Sequence, residues 1–135
     1  MEPRYLLDTN ICIYIRQKRS PDLLHRFEKL RSGEAVISVI TFGELLFGAE
    51  KSAHRTAALE RLRELQIFLS VLPLPEASAG NYGKIRAELE SKGEIIGNND
   101  LWIASHALSS GLILVTNNER EFSRVRGLRT QNWAT

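Results

Sequence analysis

Short apolar runs alternate along the chain with longer stretches in which apolar and polar residues mix. The runs are rich in Leu, Val and Ile and predict strands, and they occur at 4–8, 35–39, 71–75, 112–116 and 128–130. Apolar residues three or four positions apart predict helices at 9–17, 21–32, 41–54, 55–69, 76–92 and 100–110. Ser20-Pro21 has the form of a helix start, and Gly93 and Gly111 are natural helix stops.

This alternation of strands and helices predicts an α/β fold with a central, mostly parallel sheet flanked by helices. A chain of 135 residues fits one compact domain covering positions 1–135. In parallel sheets ligands bind beyond the carboxyl ends of the strands. Asp8 and the stretch Thr116-Asn117-Asn118 follow two predicted strands, so both are expected at that edge.

Composition changes this picture only slightly. The net charge is +2, and 13 of the 18 cationic residues are arginine, which permits a nucleic-acid or acidic-protein partner but equally suits solvated helix faces. The single cysteine, Cys12, excludes an intrachain disulfide and favours a reducing, cytoplasmic location. No apolar run approaches membrane-spanning length, and the first residues lack the form of a secretory signal.

Three acidic residues stand in apolar surroundings. Asp8 ends the first strand, Glu44 lies early in the helix that begins at Thr41, and Asp100 opens the helix continuing Leu-Trp-Ile-Ala. Each has a simple structural interpretation: Asp8 as a helix cap, Asp100 as a charge at a helix N-terminus, Glu44 as half of a surface ion pair. The three together are harder to explain in this way, because each carboxylate would separately bear a cost of partial burial.

If the three acids converge, they predict a site for a hard divalent cation. Two carboxylates about 4 Å apart repel by roughly 4 kcal/mol at an effective dielectric constant near 20, so three need a cation or large pKa changes. Oxygen ligands suit Mg²⁺ or Mn²⁺, whereas the histidines and the cysteine lack zinc-ligand spacing and are interpreted as surface or packing residues. Such a site predicts hydrolysis of phosphodiester bonds. Candidates for orienting the carboxylates are Thr9, Asn10, Ser38 and Thr116, although turns and caps explain each of them equally well.

Four segments in order resemble the PIN-domain family, and within it the VapC toxins of bacterial toxin–antitoxin pairs. They run from Leu6 to Trp133 and read LLDTNICIYI, ITFGELLFGAEKS, KGEIIGNNDLWIASHAL and LILVTNNEREFSRVRGLRTQNW. The resemblance implies a PIN fold and a Mg²⁺- or Mn²⁺-dependent endoribonuclease. It also implies that the acids of the family's metal site correspond to Asp8, Glu44 and Asp100.

The chain departs from the family at the fourth acid. That acid often follows the strand in a T-x-D pattern, whereas this chain has Asn118 two residues after Thr116. An amide oxygen at Asn118 can still hold a water, and Glu119 or Glu121 can supply the charge. The similar toxins with an NN-x-R-E-F stretch favour Glu121 as a fourth catalytic carboxylate; a solvent-facing glutamate is the competing interpretation.

The resemblance also implies a substrate and partners. Toxins with these segments resemble the group that cuts initiator tRNA in its anticodon loop and so blocks translation. They are neutralised by a VapB antitoxin, form homodimers, and assemble with the antitoxin on operator DNA. An arginine of the antitoxin would fit the acidic site, and the amphipathic surfaces of 21–31 and 41–69 would form a groove for its helix unless they serve only the core. The candidates for RNA contact are Arg16, Lys18, Arg86, Arg120 and Trp102, of which Trp102 also suits the core.

Other functions remain open on the sequence. A haloacid-type phosphatase needs a second aspartate two positions after the first, and Asn10 occupies that position. A non-catalytic PIN module that binds RNA or protein would not need Asp8, Glu44 and Asp100, although Asn118 leaves it possible. A metal-dependent DNase would use the same acids, and only substrate competition distinguishes it.

Overall fold

A computed structural model describes residues 2–134 and contains one five-stranded sheet. The strands, in chain order, are β1 (Tyr5–Leu7), β2 (Ala35–Ser38), β3 (Ser70–Leu72), β4 (Ile113–Val115) and β5 (Thr130–Gln131). Their spatial order is β3-β2-β1-β4-β5, and every neighbouring pair is parallel. The predicted α/β fold with a parallel sheet is therefore confirmed, and β1 lies at its centre.

Seven helices connect the strands within the described residues. They are α1 (Thr9–Gln17), α2 (Pro21–Glu28), α3 (Val39–Glu50), α4 (Arg55–Phe68), α5 (Ala77–Ser91), α6 (Asn98–Ser110) and α7 (Glu119–Phe122). No helix within residues 2–134 is both long and apolar enough to cross a membrane.

The sheet has a hydrophobic core on each face, because successive strand side chains point to opposite sides. Leu7 and Val115 belong to a core formed with α1 to α4. Leu6 and Leu114, the preceding residues of the same two strands, belong to a core formed with α5 and α6. Both faces are covered, as expected for a parallel sheet, and the adjacent strands β1 and β4 are apolar throughout.

Several predicted boundaries were wrong by a few residues. Helix α2 ends at Glu28 rather than at 32, because the next residues form a turn in which the carboxylate of Glu34 accepts the N–H of Arg31. Helix α6 begins two residues before Asp100, after Gly97. Strand β5 lies at 130–131 instead of 128–130, since Leu128 is still in a turn with its N–H donated to Val125.

Candidate active site

Asp8 both caps a helix and lies at the carboxyl edge of the sheet. It follows β1, is 5% exposed, and accepts the backbone N–H of Ile11 on Oδ1 at 2.9 Å, so it is the N-cap of α1. Burial raises the pKa of Asp8, hydrogen bonds from Thr116 and Ile11 oppose the increase, and the charge of Glu44 adds to it. The interpretation of Asp8 as a helix cap is therefore correct, but the charge of Glu44 also acts on this buried carboxyl group.

Glu44 is held by the first residue of α1. The hydroxyl of Thr9 donates to Glu44 Oε1 at 2.6 Å. The hydroxyl of Thr9 also lies 3.4 Å from the hydroxyl of Thr41. Within residues 2–134 Glu44 forms no ion pair, so the alternative interpretation of Glu44 as half of a surface ion pair is wrong. Thr9 thus joins the helix after β1 to the helix after β2 and orients a half-buried carboxylate.

Asp100 and Glu121 form the other half of the site. Glu121 Oε1 accepts the N–H of Gly97 at 2.9 Å, and Asn118 Nδ2 donates to Glu121 Oε2 at 2.6 Å. A methyl group at position 97 would lie 3.6 Å from Asp100 Oδ2 and 3.9 Å from Glu121 Oε1, so glycine leaves the approach to both carboxylates open. Burial raises the pKa of Asp100 to about 7, with further contributions from the charge and hydrogen bond of Glu121 and from the charges of Asp8 and Glu44.

Asp100 lies within electrostatic reach of the other three predicted acids. After burial, the charge of each of the other three raises the pKa of Asp100, so negative charge accumulates around this carboxyl group. Within residues 2–134, however, no three acidic, histidine or cysteine side chains are close enough to form a ready ligand set. Hydrogen bonds from Thr9, Ile11 and Gly97 orient Glu44, Asp8 and Glu121 respectively. Oxygen donors with unbalanced charge fit a hard divalent cation, because such an ion would remove the repulsion.

The predicted orienting residues fall into two groups. Thr116 is fully buried and forms a hydrogen bond with the carboxyl group of Asp8. Its hydroxyl also accepts the N–H of Asn118 at 2.9 Å. Asn118 caps α7 and holds Glu121. Asn10 is exposed on the first turn of α1 and makes no hydrogen bond through its side chain within the described chain, so the structure does not place it among the partners of the acids.

Ser38 and His106 form a buried contact that the sequence did not reveal. His106 lies on α6, is fully buried, and its Nδ1 lies 2.9 Å from the hydroxyl of Ser38, the N-cap of α3. Burial lowers the pKa of His106, which keeps the imidazole neutral. The contact links the helices that carry Asp100 and Glu44, but 68 residues separate the partners and no local pattern signals it.

The candidate RNA contacts are dispersed. Arg16 and Lys18 line a groove formed by α1, α2 and α4. Arg86 is paired with Glu90 at 2.9 Å, and Trp102 is half-buried in a stack with Tyr82 at a ring distance of 3.9 Å. Arg120 is exposed on α7, beside Glu121 in the chain.

Comparison with known proteins identifies the fold and its relatives. The PIN domain matches residues 5–128. Ribonuclease VapC2 of Haemophilus influenzae is 45% identical over 96% of this chain and 98% of its own length. The tRNA(fMet)-specific endonuclease VapC of Shigella flexneri is 44% identical over 97% of this chain and 98% of its own length.

Solved structures show the same similarity. The DNA-bound VapBC of Salmonella typhimurium contains a chain that is 41% identical, with a TM-score of 0.91 over 98% of this chain and 99% of that one. VapBC2 of Rickettsia felis, bound to a promoter DNA fragment, gives a TM-score of 0.90 at 39% identity over 96% of this chain and 98% of that one. The chain belongs to the PIN-domain family and, within it, to the VapC group of toxin–antitoxin systems.

Proposed function

We propose that this protein is a Mg²⁺- or Mn²⁺-dependent endoribonuclease and the toxin of a type II toxin–antitoxin pair. The observation that carries the proposal is the shared charge of Asp8, Glu44, Asp100 and Glu121 at one edge of the sheet, where the pKa of Asp100 rises to about 7. A nuclease site needs this charge to attract a cation. The names of the relatives, which are ribonucleases and an endonuclease, support the same reaction class.

The metal ligands in this proposal are Asp8, Glu44 and Asp100, with Glu121 as the fourth carboxylate. A bound Mg²⁺ or Mn²⁺ ion would lower the pKa of a water molecule and offset the charge that develops on the phosphate. The chain's own residues prepare the site: Asp8 is fixed by the N–H of Ile11, Glu44 by Thr9, and Glu121 by Gly97 and Asn118. Glu121 thereby replaces the acid that many family members have at position 118.

The proposed substrate is initiator tRNA, cut in its anticodon loop. The relatives from Shigella flexneri and Salmonella typhimurium are both named tRNA(fMet)-specific endonucleases and are 44% and 41% identical to this chain. Cleavage there would inhibit translation. An anticodon loop offers unstacked bases beside an accessible phosphate, which is the usual target of sequence-specific RNA recognition.

A VapB-type antitoxin is the proposed partner, with a helix seated in the groove between α1, α2 and α4. The groove has a volume of about 670 Å³, and Ile67 and Phe68 remain 76% and 65% exposed at its side. Cations and acids frame this apolar surface, as suits an amphipathic helix. The lining comes from 15–35 and 61–68, so α3, which the sequence had included in this surface, does not contribute. An antitoxin arginine at the acidic site would complete the inhibition.

We further propose a homodimer that binds operator DNA together with the antitoxin. Val39, Gly43 and Phe47 lie at intervals of four residues on the exposed side of α3; Val39 is 41% and Phe47 is 65% exposed. Nothing lies within 4 Å of a methyl group placed at Gly43, so another chain can approach closely there. The DNA-bound VapBC structures support an assembly of toxin, antitoxin and promoter DNA.

The decisive experiment is cleavage of total tRNA by the purified protein with Mg²⁺, Mn²⁺ or EDTA, beside the variants Asp8→Asn and Asp22→Asn. Asp22 is an exposed aspartate on α2 and provides a matched control. One pair of fragments, lost in EDTA and in Asp8→Asn but kept in Asp22→Asn, is expected. Equal cleavage by both variants would indicate a contaminating nuclease and contradict the proposal, and cleavage of DNA in preference to tRNA would make the protein a DNase.

A further inference from the structure

Three polar side chains form a hydrogen-bonded row beside the acidic site. Asn132 Nδ2 donates to Asn117 Oδ1 at 3.1 Å, and Asn117 Nδ2 donates to the hydroxyl of Tyr14 at 3.3 Å. Asn132 is itself fixed, because its Oδ1 accepts the N–H of Ala134 at 2.9 Å. The row therefore joins the C-terminal segment, the loop after β4 and helix α1.

Asn117 occupies the position between two residues that hold catalytic carboxylates. Thr116 forms a hydrogen bond with Asp8, and Asn118 forms one with Glu121. The Cα of Asn117 lies about 3.8 Å from the Cα atoms of Thr116 and Asn118. Thr116 is buried, whereas Asn117 is exposed. An RNA strand bound at the acids would therefore meet an exposed amide beside them.

The amide of Asn117 has unused hydrogen-bonding capacity. A carboxamide carries two N–H donors and an oxygen with two lone pairs. The row uses one donor and one lone pair, so one of each remains on a side chain whose orientation is already fixed at both ends. A donor and an acceptor side by side match the edge of a nucleobase, and asparagine binds adenine in this bidentate manner.

A merely structural purpose for the row is less convincing, because the C-terminal segment is anchored without it. Trp133 is 1% exposed, packs edge-on against Tyr5 at 4.9 Å, and donates its ring N–H to Gln131 at 2.8 Å. The guanidinium of Arg26 covers its ring at 5.0 Å. Together these contacts fix the segment, so the three exposed or half-buried side chains of the row are available for recognition.

We propose that Asn117 reads an unstacked RNA base next to the cleaved phosphate, and that Tyr14 and Asn132 are positioning residues that fix its amide. The proposal rests on the proposed ribonuclease function and adds a determinant of its sequence specificity. Unstacked loop bases expose the edges that such an amide can bind. The guanidinium of Arg19 lies 4.9 Å from the centre of the Tyr14 ring and contributes to holding that ring in place.

The test compares the positions of cleavage as well as the rate. Total tRNA is treated with the wild type, Asn117→Ala, Tyr14→Phe and Asn132→Ala in Mn²⁺, and the new 5′ ends are sequenced. The ratio of cuts at the preferred position to cuts elsewhere is expected to fall about tenfold in Asn117→Ala, the loss of one bidentate contact. It should fall less in Tyr14→Phe and Asn132→Ala, because both act through Asn117. The matched control is Gln66→Ala, which deletes an exposed amide on α4.

A second measurement separates this proposal from the function on which it rests. The affinity of Asp8→Asn for tRNA is compared with that of Asp8→Asn/Asn117→Ala by fluorescence anisotropy. Weaker binding by the double variant supports base reading even if the wild type cleaves nothing, in which case only the nuclease proposal fails. An unchanged cleavage ratio or equal affinities would overturn the role of Asn117. A uniform loss of all cuts would also overturn it, since that result means that Asn117 acts on the acids through Asn118.

Discussion

Replacing Asp100 with asparagine should stabilise the metal-free protein at alkaline pH. The pKa of Asp100 is about 7 in the folded protein, because of burial and the neighbouring carboxylates, against 3.8 as its ordinary value. Between these two values the folded state binds more protons than the unfolded state. The free energy of unfolding therefore falls as the pH rises from about 4 to about 7, and the loss is complete above the folded pKa. Asparagine cannot ionise and removes this dependence.

The size of the effect follows from the same values. A pKa increase of about 3 corresponds to roughly 4 kcal/mol for a fully buried group. Asp100 is only half-buried, so solvent screens its charge and a loss of about 1–2 kcal/mol is more realistic. The amide that replaces the carboxyl group in Asp100→Asn could also donate a hydrogen bond to Glu121, which accepts one from Asp100 when that residue is protonated.

Urea unfolding at pH 4.5 and pH 8, in EDTA and followed by tryptophan fluorescence, measures this difference. From pH 4.5 to pH 8 the free energy of unfolding of the wild type should fall by about 1–2 kcal/mol more than that of Asp100→Asn. Glu60→Gln, which alters an exposed residue of α4, should follow the wild type and controls for a change of net charge. Parallel pH profiles for wild type and Asp100→Asn would refute the reasoning, because they would show that the four carboxylates do not share a site.

Three further predictions concern the metal, the partner and the core. Added Mn²⁺ should raise the thermal midpoint of the wild type by several degrees and that of Asp8→Asn by little, measured by calorimetry; equal increases would mean that the ion binds elsewhere. Phe68→Asp should abolish antitoxin binding in a pull-down while tRNA cleavage persists, because Phe68 lines the groove and not the acidic site. His106→Ala should lower the free energy of unfolding by about 2–4 kcal/mol, since it leaves a cavity and removes the partner of Ser38. His106→Asn, which can still bond Ser38, should lose less, and equal losses would argue against the importance of that contact.

The sequence by itself determined the class of fold and singled out the acids that the proposed site would use. Strands and helices follow from local apolar spacing, and the carboxyl ends of parallel strands meet at one edge, which brings Asp8 to the same side as the end of β4. Asp8, Glu44 and Asp100 were recognisable because charge is costly in apolar surroundings. Glu121 was suggested only by family resemblance, since its local sequence equally fits a solvated helix.

Only the tertiary structure decided which groups hold these acids. Thr9 reaches Glu44 across 35 residues, and Glu121 reaches the N–H of Gly97 across 24. The contacts of Ser38 with His106 and of Asn117 with Tyr14 span 68 and 103 residues. Such pairs depend on the strand order β3-β2-β1-β4-β5 and on how helices pack over it, neither of which local periodicity encodes. The pattern of a sequence specifies each element, but the distance between two side chains is a property of the whole packed chain.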